Sequence, residues 1–391
     1  MAKKVKLENY IHIQNGYAFK SNLFQNFGVP VVRITNVENG KLNLDKVVYY
    51  SEDKKLDKFF IKNNDILLSL TGDDKTLKVC INESDEKLYL NQRVAILRSN
   101  ESLVQKYLYY SIKKYSLLIL EKAKGIAQKN ISVDDINSLE IPLPDLDEQK
   151  QIAKTLDKAQ ELIDLRKESI AKLDELAKSI FIDMFGNPVS NPKGWNIEKL
   201  ENLVEKEKNS LKTGPFGSSL KKEFYVQKGY KIYGQEQVIA DDFEYGDYYI
   251  DEKRFLTLKN YAIKTNDVLI SLVGSFGKIA IVPEVFQEGI INPRLMKISF
   301  NCKVYNPVFF KYLFYSDSFK QQVQNHSHGG TMGILNLTIL KNLNYINPKI
   351  ELQNKFAKTI EKIEEQKSLY KQELEKLEEN FQALLQQSFG E

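Results

Sequence analysis

Cysteine, histidine, tryptophan and methionine are all scarce in this chain, at 2, 3, 1 and 4 residues among 391. Two thiols, Cys80 and Cys302, cannot by themselves make a structural zinc site. They also fall short of the disulfide density of a small secreted scaffold, so a reducing compartment is expected. His326 and His328 flank no acidic or cysteine partner and adjoin Gly329-Gly330, which favours a polar loop over a metal or catalytic pair. No apolar run approaches the ~18 residues of a membrane span. The basic start Met1-Ala2-Lys3-Lys4-Val5-Lys6 leads into no signal-like apolar stretch. Neither sign of charge dominates: 56 basic against 52 acidic residues leave +4. That balance excludes a uniformly basic nucleic-acid coat and leaves room for local basic faces. The expectation is a soluble cytoplasmic protein with no cofactor, no metal and no membrane partner.

What the chain does contain is a copy of itself. Asn64-Asp65-Ile66-Leu67-Leu68-Ser69-Leu70-Thr71-Gly72 is matched by Asn266-Asp267-Val268-Leu269-Ile270-Ser271-Leu272-Val273-Gly274. Leu90-Asn91-Gln92-Arg93 is answered by Ile291-Asn292-Pro293-Arg294, and Lys106-Tyr107-Leu108-Tyr109-Tyr110-Ser111 by Lys311-Tyr312-Leu313-Phe314-Tyr315-Ser316. A period of roughly 200 residues means duplication of a whole domain, not a solenoid.

Each copy ends in a long amphipathic segment. One carries Ile152, Leu156, Ala159, Ile163, Ile170, Leu173, Ala177, Ile180 and Met184; the other carries Phe356, Ile360, Ile363, Tyr370, Leu374, Leu377, Phe381 and Leu384. Spacings of four and three make a heptad seam. Ile152 to Met184 would span about 50 Å as a helix. Because a whole globule separates the two segments, antiparallel pairing suits the connectivity; packing of each helix on its own globule is the plainer alternative. Arg166 and Lys367 interrupt the seam, either fixing its register or snorkelling out of it.

Within the globules, Val29–Val37, Asp65–Leu70 and Val94–Leu97 read as strands, as do Tyr230–Val238, Asp267–Val273 and Leu295–Ile298. Tyr107–Lys122 and Pro307–Gln324 read as helices. The linker Gly186-Asn187-Pro188-Val189-Ser190-Asn191-Pro192 cannot continue the first long helix. The predicted fold class is α+β (mixed α/β): two homologous globular domains, 1–146 and 187–349, held apart by an antiparallel coiled coil of two long helices, 147–186 and 350–391.

With these features in place the chain resembles the specificity subunits of type I restriction–modification systems. The resemblance rests on Gln128-Lys129-Asn130-Ile131-Ser132, on Ile141-Pro142-Leu143-Pro144 with Glu148-Gln149 leading into the long helix, and on Met184-Phe185-Gly186-Asn187-Pro188 to Lys193-Gly194-Trp195. Gly274-Ser275-Phe276-Gly277-Lys278 after a strand adds to it. It implies two target-recognition domains and two conserved helices. It also implies double-stranded DNA as a partner, recognised at an asymmetric bipartite site, with two methyltransferase subunits and restriction–translocation subunits able to join. The second repeat departs from the pattern, with Ile334-Leu335-Asn336-Leu337-Thr338 and Ile346-Asn347-Pro348-Lys349.

Direct readout favours Arg on guanine and Asn or Gln on adenine, with Lys, Ser and backbone amides on phosphates. Candidate DNA contacts are Arg33 and Asn36 in one strand-loop and Gln235 and Gln237 in its counterpart. Asn36 aligns with Gln237, and either amide could instead cap a turn. Tyr17, Lys20, Lys212 and Ser218 lie in or beside the loops Gly16–Ser21 and Gly214–Ser219. Lys75 and Lys278 occupy equivalent turns; Arg93 and Arg294 could reach bases or pair with carboxylates. The Tyr107–Tyr110 and Tyr312–Tyr315 clusters fit helix core better than base-stacking platforms. A self-contained methyltransferase would need a glycine-rich cofactor loop and an Asn/Asp-Pro-Pro-aromatic motif. Every Asn-Pro here lacks the second proline. A non-catalytic DNA-specificity module is the leading reading, with a coiled-coil adaptor lacking sequence-specific DNA binding as the alternative.

Overall fold

The computed structural model describes residues 3–72, 76–123, 125, 129–272, 277–326 and 335–390. The chain forms two compact units: Met1–Lys167 with Gln372–Glu391, and Glu168–Lys371. Both long helices, Leu146–Phe185 and Ile350–Phe389, are therefore shared between the units.

In the first unit a central antiparallel sheet runs in the order Ile11–Asn15, Val94–Ser99, Ile66–Ser69, Val79–Ile81. Its inner strands are apolar on both faces because both faces are covered. Ile66, Leu68, Ala95 and Leu97 enter the core that faces the helices, whereas Leu67, Val94, Ile96 and Cys80 enter a second core. Beyond lies a smaller sheet of Val48–Tyr50, Val29–Val32, Leu88–Leu90 and Phe60–Ile61, with one parallel pairing, Val31 to Tyr89. The strand Lys4–Lys6 pairs with Glu140–Pro142 just ahead of the long helix.

The second unit repeats this plan. Leu211–Thr213, Leu295–Ile298, Val268–Ser271 and Ile279–Ile281 form its central sheet, and Val268 and Ile270 face one core while Leu269 and Leu295 face another. Tyr230–Tyr233 pairs in parallel with Gly289–Ile291, and Asn196–Glu198 pairs with Tyr345–Asn347.

The long-helix stretches run antiparallel in each unit. In the first, Leu156 and Ile163 share a core with Phe381, Leu385 and Phe389. Arg166 reaches Glu373 at 2.7 Å, while Phe389 at the far end packs on Tyr107, whose hydroxyl donates to the Pro142 carbonyl. In the second, Phe185 and Phe181 meet Phe356, and Asp174 meets Lys367 at 2.6 Å. The two seam interruptions are thus cations paired across the helices. Burial alone would lower the Lys367 ammonium pKa, but its bonds to Asp174 and Glu364 raise it.

Several boundaries differ from expectation. The strand read as Val29–Val37 stops at Val32, and that read as Tyr230–Val238 stops at Tyr233 and becomes the helix Gln235–Ala240. Tyr107–Lys122 is two helices, Gln105–Lys114 and Ser116–Lys122; Pro307–Gln324 divides likewise into Pro307–Tyr315 and Asp317–His326.

The repeat register also shifts. Buried Gln149 accepts the Val104 N–H at 2.8 Å and donates to the carbonyls of Ser102 and Pro144. Buried Gln353 does the same with Asn306 N–H and the carbonyls of Val304 and Pro348. With these clamps superposed, Tyr107 answers to Phe309 and Tyr110 to Tyr312, nearly a turn from the match that the tyrosine-rich sequences suggest. Tyr107, Tyr109 and Tyr110 are buried, as core-forming positions should be.

Candidate nucleic-acid interface

Glycine brings the two candidate loops down onto the strand ends. A side chain on Gly16 would run into the Asn91 carbonyl oxygen, and one on Gly214 into that of Asn292. Tyr17 N–H donates to Leu90 O at 2.8 Å and Tyr17 O accepts from Gln92 N–H at 3.0 Å; Gly214 N–H donates to Leu295 O at 2.9 Å. The following arginines are pinned by their backbones in matching ways. Asn91 Oδ1 accepts from Arg93 N–H and Asn292 Oδ1 from Arg294 N–H, while Leu70 and Leu272 donate to the Arg93 and Arg294 carbonyls. Both side chains are exposed, and neither pairs with a carboxylate among the described residues. Rigid backbone with a free guanidinium is a form suited to anionic or base-edge contact.

Around Arg93, Tyr17 is 37% exposed and packs its ring on Phe19 and Phe59, at 5.0 and 5.3 Å between centroids. Lys20 is exposed just before the turn Ser21–Leu23. Lys58, which the sequence did not single out, lies over the Phe59 ring at 5.1 Å. Around Arg294, Lys212 is half-buried over the Tyr261 ring at 5.1 Å, and Ser218 and Lys278 are exposed. Gln235 is half-buried and donates to Ser271 Oγ at 2.7 Å. Lys75, the turn residues Gly274, Ser275 and Phe276, and His328 lie outside the described residues.

Asn36 and Gln237 require a correction. They do occupy equivalent positions, but both are buried, at 2% and 3% exposure. Asn36 Oδ1 accepts the Arg33 N–H at 3.0 Å and its Nδ2 donates to Asn43 O at 3.0 Å. Gln237 Oε1 accepts the Gly234 N–H and its Nε2 donates to Tyr245 O, both at 2.8 Å. These bonds turn the chain off the strand, which is why both strands end early. As placed, neither amide presents an edge to adenine.

The second loop also exposes Phe216. It sits at the crest of the Gly214–Ser219 loop, 86% exposed, while Pro215 beside it is buried. Its carbonyl accepts from Ser219 N–H at 2.8 Å, so the loop is a tight turn displaying an aromatic ring. The residue at that place in the first unit is Ala18. Such an exposed ring, on a loop anchored to the strand end that carries Arg294, has the make-up of a base-contacting or wedging side chain. The signal available in sequence was a phenylalanine between two glycines, in a loop with no acidic residue.

Burial marks other groups as structural. Lys231 is buried with Nζ donating to Glu244 O at 2.7 Å, and burial lowers its pKa. Burial pushes the Cys80 thiol up to about 12, with Glu38 adding to the effect, so it is an inert core group. Among the described residues no cluster of three His, Cys, Asp or Glu could hold a metal ion, and no helix is long and apolar enough to cross a membrane.

The type I restriction modification DNA specificity domain matches this chain twice, over residues 2–175 and 192–379. The chain is similar to the type I restriction enzyme EcoBI specificity subunit of Escherichia coli, 24% identical over 92% of this chain and 78% of that one. It is likewise similar to the putative type I restriction enzyme MjaX specificity subunit of Methanocaldococcus jannaschii, 25% identical over 94% and 87%. Among solved structures, the type I restriction–modification S subunit from M. genitalium shares the fold over 100% of this chain and 96% of that one, with a TM-score of 0.56 at 19% identity. A chain from a study of type I restriction–modification complex assembly shares it with a TM-score of 0.57 at 15% identity, over 99% and 97%. Both repeats and almost all of the sequence fall within these matches, and the chain belongs to the DNA specificity (S) subunits of type I restriction–modification systems.

Proposed function

We propose that the two globules, 1–146 and 187–349, are target-recognition domains that read different halves of one asymmetric bipartite DNA site. The observation that carries this is a shared scaffold with unlike surroundings. Arg93 and Arg294 are pinned identically by backbone bonds, yet Tyr17, Lys20 and Arg33 attend the first and Lys212, Phe216, Ser218 and Lys278 the second. Equivalent placement with different side chains reads different bases in the same manner. As an S subunit the chain is non-catalytic and serves to specify DNA, and that sets aside the adaptor reading.

The chemistry would come from partners: two methyltransferase subunits, with restriction–translocation subunits joining them. The helices 147–186 and 350–391 would set the spacer. Each described helix has 40 residues, or about 60 Å. One heptad is about 10 Å, or roughly three base-pair steps.

The test is to sequence modified bases in cells expressing the chain with its methyltransferase. One split motif with unlike halves is expected, and a continuous or symmetric motif would sink the proposal. Removing one heptad from both helices in register should shorten the spacer and leave the half-sites unchanged; an unaltered spacer would refute the ruler.

A further inference from the structure

Each unit lays one guanidinium over a phenylalanine of the same short turn. Phe24 closes a short turn with its N–H on Ser21 O, and Phe224 does so with its N–H on Lys221 O. Glycines a few residues on, Gly28 and Gly229, press against the carbonyls of Tyr50 and Ile250, which sets Phe24 level with Tyr225 and Phe224 level with Leu23, so the two rings stand one residue apart on the same turn. The Arg33 guanidinium carbon lies 5.8 Å from the Phe24 ring centre, and that of Arg254 lies 3.9 Å from Phe224. The arginines themselves are not equivalent. Arg33 follows the strand Val29–Val32, where the second unit has Gly234; Arg254 comes from the helix Glu252–Thr257. A ring-stacked guanidinium thus stands at this turn in both units, supplied by different elements and carried on neighbouring residues of the turn.

In both cases Nε is buried with no hydrogen-bond partner. A buried N–H without a partner calls for an explanation beyond the guanidinium's own bonding. Among the described residues the terminal nitrogens of Arg33 make no hydrogen bond, and Arg254 uses only Nη2, donating to the Ser219 carbonyl of the loop that displays Phe216. We infer that Arg33 and Arg254 are specificity-determining residues, one for each half-site, each presenting the outer edge of a ring-stacked guanidinium to a guanine. A planar fork held flat can donate twice to guanine O6 and N7, which a lysine ammonium cannot reproduce. The inference rests on the bipartite reading proposed above.

Arg33→Lys and Arg254→Lys keep the charge and remove the fork. In complex with the methyltransferase, each variant is titrated against duplexes in which every G·C pair of the motif is exchanged one at a time. Each variant should lose about 10–100-fold affinity for the native duplex and relax one position of one half-site, the other half being unaffected. Phe24→Leu and Phe224→Leu, with the arginines retained, should give smaller losses at the same positions. Equal weakening on every duplex would make these arginines phosphate anchors, and unchanged binding with a lowered melting temperature would make them structural; either result overturns the inference. The wild-type complex separates the two proposals: if it shows no split motif, the bipartite reading fails, whereas an intact wild-type motif left unaltered by both substitutions refutes this one alone.

Discussion

Two buried aspartates occupy the same place in the two units and are neutralised differently. Asp65 follows Asn64, and Asp267 follows Asn266; both asparagines are left-handed, at φ 65° and 68°. Each carboxylate accepts a backbone N–H, from Lys62 at 2.7 Å and from Lys264 at 2.9 Å. Asp65 then receives a bidentate pair from Arg98, with both bonds at 2.6 Å, and Arg98 braces itself on Gln14. At the position of Arg98 the second unit has Ser299, which donates to Asp267, and the cation is Lys297 at 3.8 Å. Burial raises the Asp267 pKa although Lys297 and Ser299 pull it down, and burial lowers that of Lys297 although Asp267 opposes this. One turn, one charge problem and two solutions show that the scaffold requires the carboxylate more strictly than its partner.

The contrast has a measurable size. Arg98→Ala strands a carboxylate whose side chain is 4% exposed and should cost about 3–5 kcal/mol in urea unfolding. Lys297→Ala should cost less, about 1–3 kcal/mol, because Asp267 is already biased toward taking up a proton. Equal losses would abolish the distinction between the two arrangements.

The glutamine clamps probe the opposite case, where the units agree. Gln149→Ala leaves the Val104 N–H without an acceptor, and Gln353→Ala does the same to Asn306 N–H. Each should cost about 1–3 kcal/mol, the two values matching within error. A large disparity in calorimetry would show that the clamps are not equivalent.

The smallest expected effect concerns a position where the units differ outright. Lys113 lies over the Phe381 and Tyr109 rings with Nζ on Gln160, whereas its counterpart Tyr315 uses its hydroxyl to accept Ile279 N–H. Burial lowers the Lys113 pKa to about 8, against an ordinary value of 10.5. Between those values the unfolded chain holds a proton that the folded chain has shed, so stability rises with pH across that window. Lys113→Met should flatten the rise in thermal melts taken from pH 8 to 10. Persistence of the slope would assign it to another group.

The duplication, the strand pair around Ile66 and Val268 and the long helices were legible in sequence because each is a local pattern repeated. The register of the helices Gln105–Lys114 and Pro307–Tyr315 was not, since similar tyrosine runs outvoted the buried glutamines that set it. Asn36 and Gln237 were recognised as a pair, but their use was hidden: whether an amide meets a base or its own backbone depends on where the chain turns, and here the amides make the turn. Arg254 was invisible for a related reason, because its stacking on Phe224 exists only in space.

The division of the long helices has a consequence for biosynthesis. Phe381, Leu385 and Phe389 belong to the first unit, yet they are translated only after the entire second unit. At ordinary elongation rates the first globule waits on the order of tens of seconds for them. Until then Leu156 and Ile163 lack the partners that cover them. The nascent first half is a half-closed core on the ribosome, completed only once Phe381, Leu385 and Phe389 have emerged.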